Sequence, residues 1–190
     1  MAFQNTSFAA LLQTELTDDE TASLISVYEQ AGFQEFLHDN PFQLILKQSV
    51  EYGGRQANGF YNFATKQAEV SLTREASSYQ QTFEQQAFFS ISTLAKTPTE
   101  AIQRTLIHEA GHHLHSVLRS TDTALFKITM LAPTMSALSQ YGTQTQLEYF
   151  AESIAAYIFH RTELMVYDSF GYGIIKKVLE RLNLELQEIP

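Results

Sequence analysis

Thr97-Pro98-Thr99-Glu100-Ala101-Ile102-Gln103-Arg104-Thr105-Leu106-Ile107-His108-Glu109-Ala110-Gly111-His112 is the stretch around which the rest of the chain is read. Thr97 is a good N-cap, Pro98 fits the first helical position, and Glu100 can close a capping box. The helix that these signals predict runs to about Arg119. His108 and His112 lie four apart on it, so both imidazoles leave one face and can share one metal ion. Glu109 is rotated by about 100° from His108, which sets it beside such a metal rather than on it. From there it can take a proton from a metal-bound water, whose pKa zinc lowers to about 7.

A catalytic zinc needs a third protein ligand and an open fourth position. The all-histidine extension of the motif would require a glycine at 115 and a histidine at 118. This chain has His115 and Leu118, so that extension fails. Gln146-Leu147-Glu148-Tyr149-Phe150-Ala151-Glu152 offers two carboxylates four apart, on a helix expected to begin near Thr143 or Thr145 and continue through His160. One of them can bind zinc and the other can accept the free ring N–H of a ligand histidine. The plainer alternative is a pair of solvated acids near a helix N-terminus. Leu147, Phe150, Ala151, Ile154 and Ala155 argue for burial, where unpaired carboxylates would be costly.

His108-Glu109-x-x-His112, followed by Tyr141, Glu148 and Glu152, resembles the zinc peptidase domain of anthrax lethal factor and the related Pro-Pro endopeptidases. That family has a tyrosine seven residues before its glutamate ligand and a second glutamate four residues after it, and Tyr141, Glu148 and Glu152 reproduce both spacings. The resemblance implies a zincin-like fold and zinc-dependent endopeptidase activity on a peptide or protein substrate. It implies His108, His112 and Glu148 as ligands of one Zn2+ per chain and Glu109 as general base. It gives Tyr141 the oxyanion and makes Glu152 the partner of a ligand histidine. Zincins bind an extended peptide along an edge strand. Ala68 to Thr73 is the expected strand, with Val70, Ser71 and Leu72 as candidate substrate-binding residues. The polar loop after it could fold over the cleft; the equal alternative is an ordinary edge strand whose loop does nothing. The rival readings are a zinc hydrolase of a non-protein amide and a zinc-stabilised interaction module without turnover. An intact Glu109 speaks against the latter.

Outward from the motif, strands dominate the first half and helices the second, an α+β order. Thr17-Asp18-Asp19-Glu20 reads as a capping box for a helix that stops at Gly32. A short amphipathic piece spans Phe33 to His38, and an extended run Phe42 to Val50. Gly53, Gly54 and Gly59 mark turns without making a phosphate loop. Gly59–Ala64 and Ala68–Thr73 read as a hairpin about Thr65-Lys66-Gln67, Ser77–Gln86 as a surface loop or a weak helix, and Phe88–Leu94 as a short strand. Pro133 interrupts the next helical stretch, Phe170 to Gly173 reads as a break, and Ile174 to Leu186 as the last helix. His113 is expected in solvent, and His115 at the surface or behind a ligand. His38, His160, Tyr149 and Tyr157 read as structural or packing residues.

The 190 residues read as one domain, with a lobe of helices and a small twisted sheet to about 118 and a helical lobe from about 119 to 190. At 44% apolar residues the chain can bury a real core. Twelve Lys and Arg against 21 acids give a net charge of −9, which argues against a nucleic-acid partner. The absence of cysteine excludes disulfides and thiolate ligands. No stretch reaches the ~20 apolar residues of a membrane span, and no secretory signal is legible at the N-terminus. A monomer is expected, and export by a signal-independent route is slightly favoured over a cytoplasmic place.

Overall fold

Sixteen of the 24 residues of the helix opened by Thr97 are buried, on every side of its circumference, so it is the axis of the fold. The computed structural model describes residues 10–13, 16–73, 89–131 and 138–189. Their elements are β1 (Ala10–Gln13), α1 (Asp18–Gln30), α2 (Gln34–Asp39), β2 (Gln43–Lys47), β3 (Val50–Tyr52), β4 (Arg55–Ala57), β5 (Gly59–Asn62) and β6 (Gln67–Ser71). There follow a 3-10 turn (Ile91–Leu94), α3 (Pro98–Thr121), α4 (Thr123–Thr129) and a second 3-10 turn (Tyr141–Thr143). α5 (Gln146–Phe159), α6 (Arg161–Tyr167) and α7 (Ser169–Leu182) complete the chain. The architecture is mixed α+β, mostly helical with a small sheet. No helix among the described residues is long and apolar enough to cross a membrane.

The main sheet has the order β1-β2-β6-β5; β1, β2 and β6 are parallel, and β5 runs antiparallel to β6. β3 and β4 form a separate hairpin. Leu44, Leu46, Ala68 and Val70 are fully buried in the core that also takes in Leu106, Ala110 and Leu114 of α3. On another side α1 is tied to α3 by the Tyr28 hydroxyl, which donates to the Leu106 carbonyl (3.1 Å). A single cluster of buried apolar side chains extends from Leu24 to Leu186.

α5 packs directly along α3. A Cβ on Gly111 would lie 3.0 Å from Ala151 Cα and 3.3 Å from both the Ala151 carbonyl oxygen and Ile154 Cβ. The Thr145 hydroxyl caps α5 by accepting from the Glu148 N–H (3.1 Å). The next residue, Tyr149, donates its hydroxyl to Asp168 (2.6 Å), which also accepts the Gly171 N–H (2.9 Å) at the start of α7.

The local signals at Thr17, Gly32 and Thr97 correspond to the observed caps, and β5–β6 is the expected hairpin, with Lys66 at φ 52 in its loop. Four expectations are corrected. The extended run from Phe42 breaks after Lys47: the Gln48 carbonyl accepts the Thr73 N–H together with the Ser71 and Thr73 hydroxyls, and β3 resumes at Val50 on a separate hairpin. Ile91–Leu94 is a 3-10 turn rather than a strand: the Ser90 carbonyl and the Thr93 side chain close it locally. Gly171 and Gly173 lie inside α7. Gly171 serves close packing there, since a Cβ would sit 2.6 Å from the Tyr149 hydroxyl. α7 then ends at Leu182, with Asn183 in the left-handed conformation (φ 50), so Leu184 to Leu186 are not helical. The Ser77–Gln86 loop, Phe88 and Pro133 lie outside the described residues.

Gly111→Ala should gain about 1 kcal/mol in helix propensity. Overpacking against Ala151 should cost about 1–3 kcal/mol. The expected result is a net loss of stability on chemical denaturation, with a larger loss for Gly111→Val. A stability gain with Gly111→Val would contradict the tight crossing.

Candidate metal centre

α3 and α5 cross so that His108, His112 and Glu148 meet. The Nε2 atoms of the two histidines are 3.1 Å apart, and Glu148 Oε2 is 3.1 Å from one and 3.3 Å from the other. These side chains form a group that could hold a metal ion. Metal bonds of about 2.0–2.1 Å meeting at a tetrahedral angle place donors about 3.3 Å apart, which matches this triangle. Two imidazole nitrogens and one carboxylate are a donor set that suits zinc.

Each donor is aimed by its surroundings. His108 Nδ1 lies 2.8 Å from Glu152 Oε1, and Glu152 Oε2 accepts the Ile91 N–H at 2.7 Å. Glu152 therefore takes the Nδ1 proton and leaves Nε2 turned to the triangle. His112 is held by rings. Tyr61 stacks on it (23° between planes), Phe63 meets it edge-on (72°), and its buried Nδ1 has no hydrogen-bond partner among the described residues.

The electrostatics ask for positive charge at this point. Burial opposes a charged His108, but the Glu148 and Glu152 carboxylates outweigh it and hold the imidazole well above its ordinary pKa. Burial and the neighbouring His108 hold His112 below the usual histidine range. Burial alone would raise Glu148, yet its hydrogen bonds to both histidines pull it far below the usual carboxylate range. A proton on His108 thus occupies the electrostatic role that a bound cation would fill.

Glu109 is 2% exposed, and burial, with help from Glu148 and Glu152 against the pull of His108, pushes it up to about 8. Its Oε2 has no hydrogen-bond partner among the described residues. A Cβ on Gly59 of β5 would lie 2.2 Å from Glu109 Oε1, so only glycine leaves room for this carboxylate. The Tyr141 ring is 5.8 Å from that of His108. Burial first, and then the Glu148, Glu109 and Glu152 charges, raise its phenol far above the usual range, and its hydroxyl is hydrogen-bonded to Glu148. A cavity of about 470 Å³ is lined by His108, Glu109, Tyr141 and Glu152 and by Tyr52 and residues 55–59.

The six residues expected around the metal therefore come together: His108, His112 and Glu148 as the triangle, with Glu109, Tyr141 and Glu152 about it. The substrate-strand expectation is corrected. β6 pairs with both β2 and β5, so Val70, Ser71 and Leu72 are not at an edge, and none lines the cavity. The end strand beside the site is β5, and the expected loop over the cleft lies outside the described residues. His113 is also not solvated: it is fully buried, 2.8 Å from the Tyr61 hydroxyl and 2.7 Å from the Asn40 carbonyl oxygen. His115 is not at the surface; it stacks on Phe150 (4.2 Å) and bonds Thr129 (2.6 Å). Gly59 and the Ile91 N–H were not legible as site elements, since a strand glycine and a main-chain group carry no chemical signature in sequence. No known protein-family model matches this chain, and no curated protein is detectably similar to it in sequence.

Elemental analysis should find about one zinc per purified chain. His112→Ala and Glu148→Ala should each lose most of it, whereas Glu152→Gln should keep the site with about 10–100-fold weaker affinity. Full zinc retention by both alanine variants would refute this ligand set.

Proposed function

We propose that the chain is a zinc-dependent endopeptidase with a zincin-like fold. The observation that carries the reading is the triangle of His108, His112 and Glu148 donors, whose His108 lines a cleft together with the buried Glu109, the Oε2 of which has no hydrogen-bond partner among the described residues. Zinc, when bound, supplies a Lewis acid and lowers the pKa of a bound water to about 7. Glu109 takes the proton of the attacking water; a cation at the triangle would draw its pKa down from about 8 toward the working range. Tyr141 keeps its proton to high pH and donates it in a hydrogen bond to the developing oxyanion. Glu109 then passes its proton to the leaving amine.

The substrate chain adds to β5. The Ser71 N–H donates to the Asn58 carbonyl (2.9 Å), so by ladder alternation Gly59 and Tyr61 turn their main-chain N–H and C=O away from β6. A peptide laid along that side passes the Glu109 carboxylate at Gly59. β-strand addition of this kind recognises main-chain groups and leaves selectivity to alternate side chains. A setting outside the producing cell remains the favoured one for such an enzyme.

A peptide-library digest, with and without chelator, is the direct test, and cleavage that survives complete metal removal would sink the reading. With a cleaved peptide in hand, Glu109→Gln should keep its zinc and lose about 10²–10⁴ in kcat. Tyr141→Phe should lower kcat with little change in KM, as expected for a group engaged only in the transition state.

Gly59→Ala separates the placement of Glu109 from the metal. The added methyl must displace the carboxylate, so kcat should fall by at least about ten-fold while zinc content stays native. Native turnover would show that Glu109 is not held where the mechanism needs it.

A further inference from the structure

Arg104 is 5% exposed and lies one helical turn before His108 on α3. Its Nε and Nη2 donate to Glu100 Oε1, its Nη1 donates to the Ile91 carbonyl (3.3 Å) and to His160 Nε2, and the guanidinium lies 4.8 Å over the Phe159 ring. The segment it grips is the one that supports the site. The Ile91 N–H holds Glu152, which holds His108, and the Phe89 carbonyl accepts the Tyr141 N–H at 2.8 Å. Ser90, Ser92 and Thr93 of the same segment line the cleft.

A single 3-10 turn is too short to fix such a segment by itself. The Arg104 fork is planar and pre-organised, and it shares a rigid helix with His108. It therefore sets the distance between α3 and the main chain from which Glu152 and Tyr141 are hung. We propose that Arg104 is a positioning residue for the metal centre, acting through Ile91 on Glu152 and through Phe89 on Tyr141; this rests on the reading of His108, His112 and Glu148 as metal ligands.

The test is titration of purified apoprotein with Zn2+ against a competing chelator, together with the visible absorption of the Co2+-loaded protein. Arg104→Met should weaken zinc about ten-fold and alter the cobalt band, and Arg104→Lys should recover part of the loss. Glu100→Gln removes the ion pair at the far end of the guanidinium. It should lower Tm while leaving zinc affinity and the cobalt band native. Native affinity and spectrum in Arg104→Met would overturn the proposal, as would an equal loss of affinity in Glu100→Gln. Should Arg104→Met not fold, Arg104→Lys decides, a native affinity and cobalt band again overturning it. Wild type and His112→Ala are titrated alongside. If wild type binds neither ion, or His112→Ala binds both as well as wild type, the metal reading itself falls and the positioning role with it. If only the Arg104 variants behave as wild type, the positioning role alone falls.

Discussion

Gly111 lets two buried helices meet backbone to backbone, and the position of every acid on α5 follows from that contact. With Ala151 packed at 3.0 Å from where a Cβ would stand, Glu148 and Glu152, three residues before it and one after, are carried to the α3 face bearing His108. Helix rise is 1.5 Å per residue, so the four-residue spacing separates the two carboxylates by about 6 Å along the axis. That spacing lets the two carboxylates bracket one imidazole, Glu148 at Nε2 of His108 and Glu152 at its Nδ1.

Such a crossing concentrates charge. Glu109, Glu148 and Glu152 surround two buried imidazoles, and the shifts of Glu109 upward and Glu148 downward express one conflict. Glu148 stays ionised because both histidines bond it. Glu109 has no such partner among the described residues and is driven toward its neutral form. A group of acids buried for packing alone would gain from replacement by apolar side chains of like volume. A divalent cation held at the triangle would resolve the conflict at both ends: it would satisfy Glu148 directly and favour the ionised form of Glu109 next to it.

What the sequence made legible was local or periodic. The capping box at Thr17, the N-cap at Thr97 (where the Glu100 carboxylate takes the Lys96 N–H instead of closing a box), the stop at Gly32 and the four-residue spacings on α3 and α5 depend on neighbours in the chain, and each has a physical cause within one or two helical turns. What stayed hidden depended on partners far away. Alternation in Ala68–Thr73 fits an edge or an interior strand equally, and only pairing with β2 settles that it is interior. His113 was expected in solvent and His115 at the surface or behind a ligand, as on a helix with a wet face; α3, enclosed by the sheet, α1, α4 and α5, has little of one. Gly171 looked like a breaker because its reason for being glycine, the Tyr149 hydroxyl, sits on another helix.

The cleft is built from two kinds of material, and this divides its functions. Its chemical wall belongs to α3 and α5, long helices whose site residues are buried, or half-buried at Glu148. Its other wall is the β3–β4 hairpin and the start of β5, three- and four-residue strands with Tyr52 62% exposed and stacked on Phe60. Changes on the helical wall disturb packing, ligand aim and charge together, so that wall resists variation. Changes at Tyr52, Arg55 or Gln56 alter the lining of the cleft without touching the α3–α5 crossing. Gly59 is the point where the two walls meet, and its missing side chain is what allows the end strand β5 to lie directly over the Glu109 carboxylate.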